Sequence, residues 1–216
     1  MNAPSVAALF VETNGHYFGL HGVSPWDKIR DARAYEGPDP VVAHPPCQLW
    51  VNFAALNFKR YGGEHNRPGN DGGCFASALK SVRVWGGVLE HPAFSNAWAA
   101  YGLNAPTKAK RGAPVGPGWE LIGGGPNWRQ HWVCEVWQSA YGHKARKRTW
   151  LYAVTAERPQ EMDWSRRPGT AQVGWFDRIK PTLGKREVLA TPPNLRDALL
   201  KLARFARIDR KVGRSA

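Results

Sequence analysis

Short, unbroken apolar runs separated by glycine- and proline-rich stretches dominate the first half of the chain. VAALFVE (6–12) and PVVAH (40–44) show no polar alternation, the pattern of strands covered on both faces. Between them, GVSPWDKIRDARAYEGPD is dense in turn formers and leaves room for at most one short element. Phe75, Ala78, Leu79, Val82 and Trp85 recur at helical spacing behind Asn70 and Asp71, which predicts a capped helix near 71–85. GVLEHP (87–92) predicts a brief strand stopped by Pro92, and KRGAPVGPGWELIGGGPNW reads as a long loop. Beyond it, HWVCEVW and TWLYAV are aromatic and β-branched runs suited to strands. TPPNLRDALLKLARFA sets prolines at a helix start and Leu195, Leu199, Leu202 and Phe205 along one stripe, predicting an amphipathic closing helix. Strands alternating with helices predict a single α/β domain over 1–216. In a mostly parallel sheet of that kind, ligands gather beyond the carboxyl ends of the strands.

Charge refines this picture by its distribution. The 216 residues carry a net charge of +13, and residues 101–216 hold twenty-two Lys/Arg against nine Asp/Glu, whereas the first hundred are balanced at eight each. A basic second half predicts a polyanionic partner, DNA above all, gripped by Lys108, Lys110, Arg111, Lys144, Lys147, Arg166 and Arg167. No apolar run is long enough to span a bilayer and the amino terminus lacks the pattern of a secretory signal, so no membrane partner is expected. The expectation is a monomer in the cytoplasm of a bacterial or phage-infected cell. The three cysteines, Cys47, Cys74 and Cys134, form no C-x-x-C pair, which argues against a zinc site or a disulfide framework and predicts no metal.

Cys47 stands out by position. It follows the predicted strand ending at His44, on a loop stiffened by Pro45 and Pro46, where a side chain can be aimed into a cleft. Glu90 holds the matching position near the end of GVLE. If the two strands are neighbours, a thiol and a carboxylate face one pocket.

These stretches resemble those of the cytosine-5 DNA methyltransferases. That family carries Pro-Cys-Gln after a strand, matched by PPCQ (45–48), and a strand ending in Glu-Asn-Val, to which VLEHP (88–92) is similar. Its Tyr-Gly, Arg-x-Arg and hydrophobic strand resemble SAYGHKARKRTWLYAV (139–154), in the same order along the chain. The resemblance covers residues 40–154. It implies a Rossmann-like methyltransferase fold with a compressed N-terminal half, and a short loop region over 155–188 in place of a target-recognition domain. It also implies covalent catalysis on an extruded cytosine. Cys47 would add to carbon 6, Glu90 in its protonated form would hold the base edge, and Arg146 and Arg148 would favour the thiolate.

The resemblance implies S-adenosylmethionine as donor, held by Phe10, Glu12, Asn14, Gly15, Asp31 and Pro45. The glycine-rich loop of the family is nevertheless replaced by LFVETNGHYFGLHG, with Gly15 alone near the turn. A remodelled pocket suits methylene-tetrahydrofolate as an alternative donor, giving hydroxymethylcytosine. A second reading is a DNA-binding relative without turnover. A third, a zinc-dependent deaminase, lacks both the His-x-Glu and the second cysteine that such chemistry needs.

Overall fold

The computed structural model describes residues 5–106, 117–124, 129–173 and 179–206. The apolar runs at the start form β1 (Val6–Leu9) and β3 (Val41–Ala43), every residue of which is buried. The turn-rich stretch between them holds β2 (Val23–Trp26) and a 3-10 turn (Ala32–Ala34), two elements where one was expected. Pro25 is tolerated in β2 because that strand lies at the sheet edge, where a missing N–H breaks no ladder. The remaining strands are β4 (Gly87–Pro92), β5 (Glu120–Gly124), β6 (Gln130–Trp137) and β7 (Arg148–Thr155).

All seven strands join one sheet in the order β2-β1-β3-β4-β7-β6-β5. The β1–β2, β1–β3 and β3–β4 pairings are parallel; β4–β7, β7–β6 and β6–β5 are antiparallel. The sheet is therefore mixed, not mostly parallel. The cause lies in residues 138–147, which join β6 to β7 with a short 3-10 turn and a bend at Gly142, too little chain for a helical crossover.

Five α-helices accompany the sheet: α1 (Ala54–Tyr61), α2 (Cys74–Trp85), α3 (Asn96–Ala100), α4 (Lys185–Leu189) and α5 (Pro193–Phe205). Strand residues alternate between two cores. Ala7, Leu9, Val41 and Leu89 pack with Phe75, Ala78 and Val82 of α2, while Val6, Ala8, Val42 and Val88 pack with Leu195, Leu199 and Leu202 of α5. The Asp71 carboxylate accepts hydrogen bonds from the Gly73 and Phe75 amides at the start of α2, as the sequence predicts for that end. Gly87 opens β4 at φ 117°, where an added Cβ would lie 1.9 Å from the Val41 carbonyl oxygen, so the β3–β4 contact requires glycine.

Two features of this topology assemble the site. The chain leaves β1 towards β2 on one side and returns to β3 on the other, so a crevice opens at their carboxyl ends, the position where open α/β sheets bind ligands. Because β7 runs antiparallel to β4, pairing Glu90 with Leu151 and Pro92 with Thr149, its amino end reaches the same edge. The bend before β7 and the tip of β6 thus cap the ends of β3 and β4.

Candidate active site

A cleft of about 1650 Å³ runs along this edge, and Cys47 and Glu90 both line it. The Cys47 loop is held at several points. The His44 amide donates to the Leu9 carbonyl (3.0 Å), and the Trp50 amide donates to the Cys47 carbonyl (2.9 Å). The buried Trp50 indole donates to Asp71 at 2.8 Å, tying the loop to the head of α2. This anchoring leaves Cys47 half-buried at the cleft wall.

Glu90 is 8% exposed and fully engaged. His44 Nδ1 lies 3.0 Å from its Oε2, and Gln138 Nε2 donates to its Oε1 at 3.0 Å. Gln138 Nε2 also donates to Thr149 Oγ1 (2.9 Å), and Tyr17 Oη lies 2.7 Å from His44 Nε2. A continuous chain Tyr17–His44–Glu90–Gln138–Thr149 therefore crosses the sheet edge behind the cleft.

Electrostatics here differ from the sequence expectation. Burial alone would raise the Glu90 carboxyl, but the hydrogen bond and charge of His44, aided by Lys147 and His91, outweigh it and hold the group at about 2. In the resting site Glu90 is a carboxylate, whereas the resemblance implies the protonated form when a base is held. Burial and the Glu90 charge push the Cys47 thiol above its usual value, and Lys147 is the cation that opposes them. Arg148 is committed elsewhere, to a bidentate pair with Glu135 (2.7 and 2.9 Å), and Arg146 stacks on Trp137 with its guanidinium 5.0 Å from the ring centroid. Lys147, assigned from sequence to the phosphates, lines the cleft at φ 36°, a left-handed conformation unusual for a side chain of that size.

Of the residues assigned to the donor, Phe10, Glu12, Asp31 and Pro45 line the cleft, whereas Asn14 and Gly15 do not. The Asp31 carboxylate is gripped by Arg33 (2.8 and 3.0 Å). Asp27, at the end of β2, takes the Thr13 hydroxyl (2.6 Å) and the amides of Ile29 and Arg30. Of the residues assigned to DNA, Lys147 and Arg166 line the cleft; Lys144 is paired with Glu187 (2.8 Å) and Arg167 with Asp163 (3.7 Å). Lys108, Lys110 and Arg111 lie outside the described residues. Further cations lining the cleft, Lys180 and, at the start of α4, Lys185 and Arg186, were not singled out in sequence because they form no extended run of basic residues. Tyr17 and Gln138 were also missed. Gln138 carries one signal, a polar residue directly after the apolar run of β6.

Cys134 is a fully buried core residue, and Cys74 is half-buried at the start of α2. Among the described residues no group of three His, Cys, Asp or Glu converges as a metal ion would require, and no helix is long and apolar enough to cross a membrane. No protein-family model matches the chain and no curated protein matches its sequence.

Proposed function

We propose that this protein modifies carbon 5 of cytosine in DNA by one-carbon transfer, through a covalent adduct between Cys47 and carbon 6 of an extruded base, on a Rossmann-like methyltransferase scaffold. The observation that carries this reading is the placement on one cleft of Cys47, on the loop beyond the carboxyl end of β3, and Glu90, within the adjacent parallel strand β4. Only a thiolate attacks, so Cys47 gives up its proton before the sulfur–carbon bond forms. Addition moves the ring electrons to carbon 5, which becomes the nucleophile. Glu90 holds the exocyclic amine and N3 of the base, a contact that distinguishes cytosine from thymine. After transfer, loss of the carbon 5 proton and cleavage of the sulfur–carbon bond restore the ring. The basic wall formed by Arg146, Lys147, Arg166, Lys180, Lys185 and Arg186 faces the phosphates of the flipped strand.

The reading places the donor, S-adenosylmethionine or methylene-tetrahydrofolate, in the β1–β3 crevice, where it supplies the one-carbon unit. The residues there do not form the glycine cradle implied by the resemblance. Phe10, Glu12 and His16 present side chains along the cleft, and an added Cβ at Gly15 would sit 2.9 Å from the Glu12 carbonyl oxygen. The same departure favours a second reading, a DNA-binding relative without turnover.

One incubation separates the readings. The protein is mixed with cytosine-containing DNA and either donor, and the nucleosides are identified by mass. Methylcytosine or hydroxymethylcytosine, lost in Cys47→Ser, is the expected product. DNA binding without a new nucleoside, and unaffected by Cys47→Ser, would sustain the binding reading instead.

A further inference from the structure

Cytosine presents a donor at its exocyclic amine and an acceptor at N3. A carboxylate offers acceptors only, so one oxygen that meets N3 needs a proton. Glu90 is ionised in the resting site, and free solution near neutral pH keeps so few protons on such a group that the proton must come from a neighbour. His44 is the titratable group in hydrogen-bond contact with it, at 3.0 Å, and is itself backed by Tyr17 at 2.7 Å.

We propose that Tyr17 and His44 form a proton-holding arm for Glu90, with His44 as a positioning residue that lends its Nδ1 proton to Oε2 when a cytosine edge enters the cleft. The inference rests on the function proposed above and deepens it. In the step, the Nδ1–H bond of the imidazolium breaks and an O–H bond forms on Glu90. His44 becomes neutral and keeps Nε2–H, which donates to the Tyr17 oxygen, while the new Glu90 hydroxyl donates to N3. Glu90 Oε1 retains its bond from Gln138 and accepts from the amine, as the lone pairs of a carboxyl allow.

The surroundings suit a proton held in reserve. His91, the next residue on β4, is completely buried and kept neutral by that burial, so it does not compete as donor. From the η-turn after β6, Gln138 is uncharged and fixes the carboxyl plane through Thr149. Lys147 from the bend before β7 and Cys47 from the β3 loop are the other ionisable groups acting with Glu90. On the far side, Arg196 and Asp197 of α5 act on Tyr17 in opposite senses, and burial keeps the Tyr17 phenol protonated. Placing a proton on Glu90 also removes the negative charge that opposes the Cys47 thiolate, so base capture and nucleophile activation are coupled through His44.

The test needs no donor, because reversible addition of sulfur to carbon 6 lets carbon 5 exchange its hydrogen with solvent. A single-stranded oligodeoxynucleotide containing cytosines is incubated with the full chain in D₂O buffers of varying pH, and deuterium at carbon 5 is read by mass. Wild-type exchange is expected to fall on the alkaline side, and that fall should depend on His44. His44→Gln, which keeps a hydrogen-bonding group beside Glu90, should slow exchange about a hundredfold below pH 7 and abolish that descending limb. Tyr17→Phe, which removes the partner of Nε2–H, should shift the limb to lower pH. Exchange in the wild type with an unchanged limb in His44→Gln and Tyr17→Phe overturns the arm and leaves the cytosine reading intact. No exchange in the wild type at any pH overturns both. If His44→Gln folds poorly, ¹⁵N shifts of His44 in the wild type decide: a ring that does not titrate over the limb overturns the proposal.

Discussion

Arg148 and Glu135 meet diagonally across the β6–β7 ladder, joined by two hydrogen bonds of 2.7 and 2.9 Å, with the Glu135 side chain only 1% exposed. The indoles of Trp137 and Trp150 donate to the same carboxylate at 3.2 and 2.9 Å. This arrangement occupies Arg148 with holding the sheet together beneath the cleft. Arg148→Met should therefore destabilise the fold by about 3–5 kcal/mol, since it strands a buried charge. The double variant Glu135→Gln with Arg148→Met removes the stranded charge but leaves an amide oxygen for only one of the two indoles, so it should recover part of that loss. Denaturant unfolding measures both, and a double variant as unstable as the single one would refute the assignment.

Acid stability should fall in two stages. Burial depresses the His91 ring to about 4, with Glu90, the Pro46 carbonyl and Asp71 acting in the opposite sense without offsetting it. A ring that charges more readily in the unfolded chain leaves stability complete above its unfolded value near 6.5. Stability is then lost as pH falls from there to about 4, by about 3 kcal/mol. Glu90, held at about 2, adds a second loss between its unfolded value near 4.5 and about 2, because protonation removes the partner of His44. His91→Phe should erase the first stage and keep the second in urea titrations at stepped pH.

The thiol of Cys47 is under opposing influence from one carboxylate and one amine, which makes its reactivity tunable. Glu90→Gln should lower its pKa and speed alkylation by iodoacetamide at pH 7, while Lys147→Gln should slow it. Peptide mass mapping separates Cys47 from Cys74. Equal rates in all three proteins would show that neither neighbour acts on the sulfur.

If about six cations of the cleft wall contact phosphates, the logarithm of DNA affinity should fall with the logarithm of salt at a slope of about −5 on duplex and about −4 on single strands. Arg166→Gln should flatten the duplex slope by about 0.9. Binding titrations across salt concentrations give the slope directly, and a slope near zero excludes the wall as a DNA surface.

Much of the fold can be read from the amino-acid sequence. The buried strands of the first half announced themselves as unbroken apolar runs, and α2 and α5 by the spacing of Phe75 to Val82 and Leu195 to Leu202. Strand direction was not legible, because hydrophobic period says nothing of polarity; the short 138–147 connection was the one available clue. Helix α1 escaped because it does not hide its apolar residues: Phe53 just before it and Leu56 and Tyr61 within it are 61%, 59% and 67% exposed. At the site, Cys47 and Glu90 could be placed from strand ends. Tyr17, His44 and Glu90 could not be linked, since 27 and 46 residues separate them and only strand register aligns their side chains. Within the KARKR segment the pairing of Arg148 with Glu135 could not be foreseen either, since it depends on strand register, and Lys147, with its left-handed backbone, lines the cleft beside Arg146 and Arg148.

The central place of β7, between β4 and β6, also sets the order in which the molecule can mature during synthesis. The Cys47 loop leaves the ribosome about a hundred residues before Lys147 and the strand that closes the sheet edge beside Glu90. Until Thr155 has emerged, Cys47 has neither its opposing amine nor its roofed cleft, and β4 presents an open flank. A nascent chain stalled before the 138–147 bend would thus hold Cys47 without Lys147 and leave β4 as an unpaired strand edge.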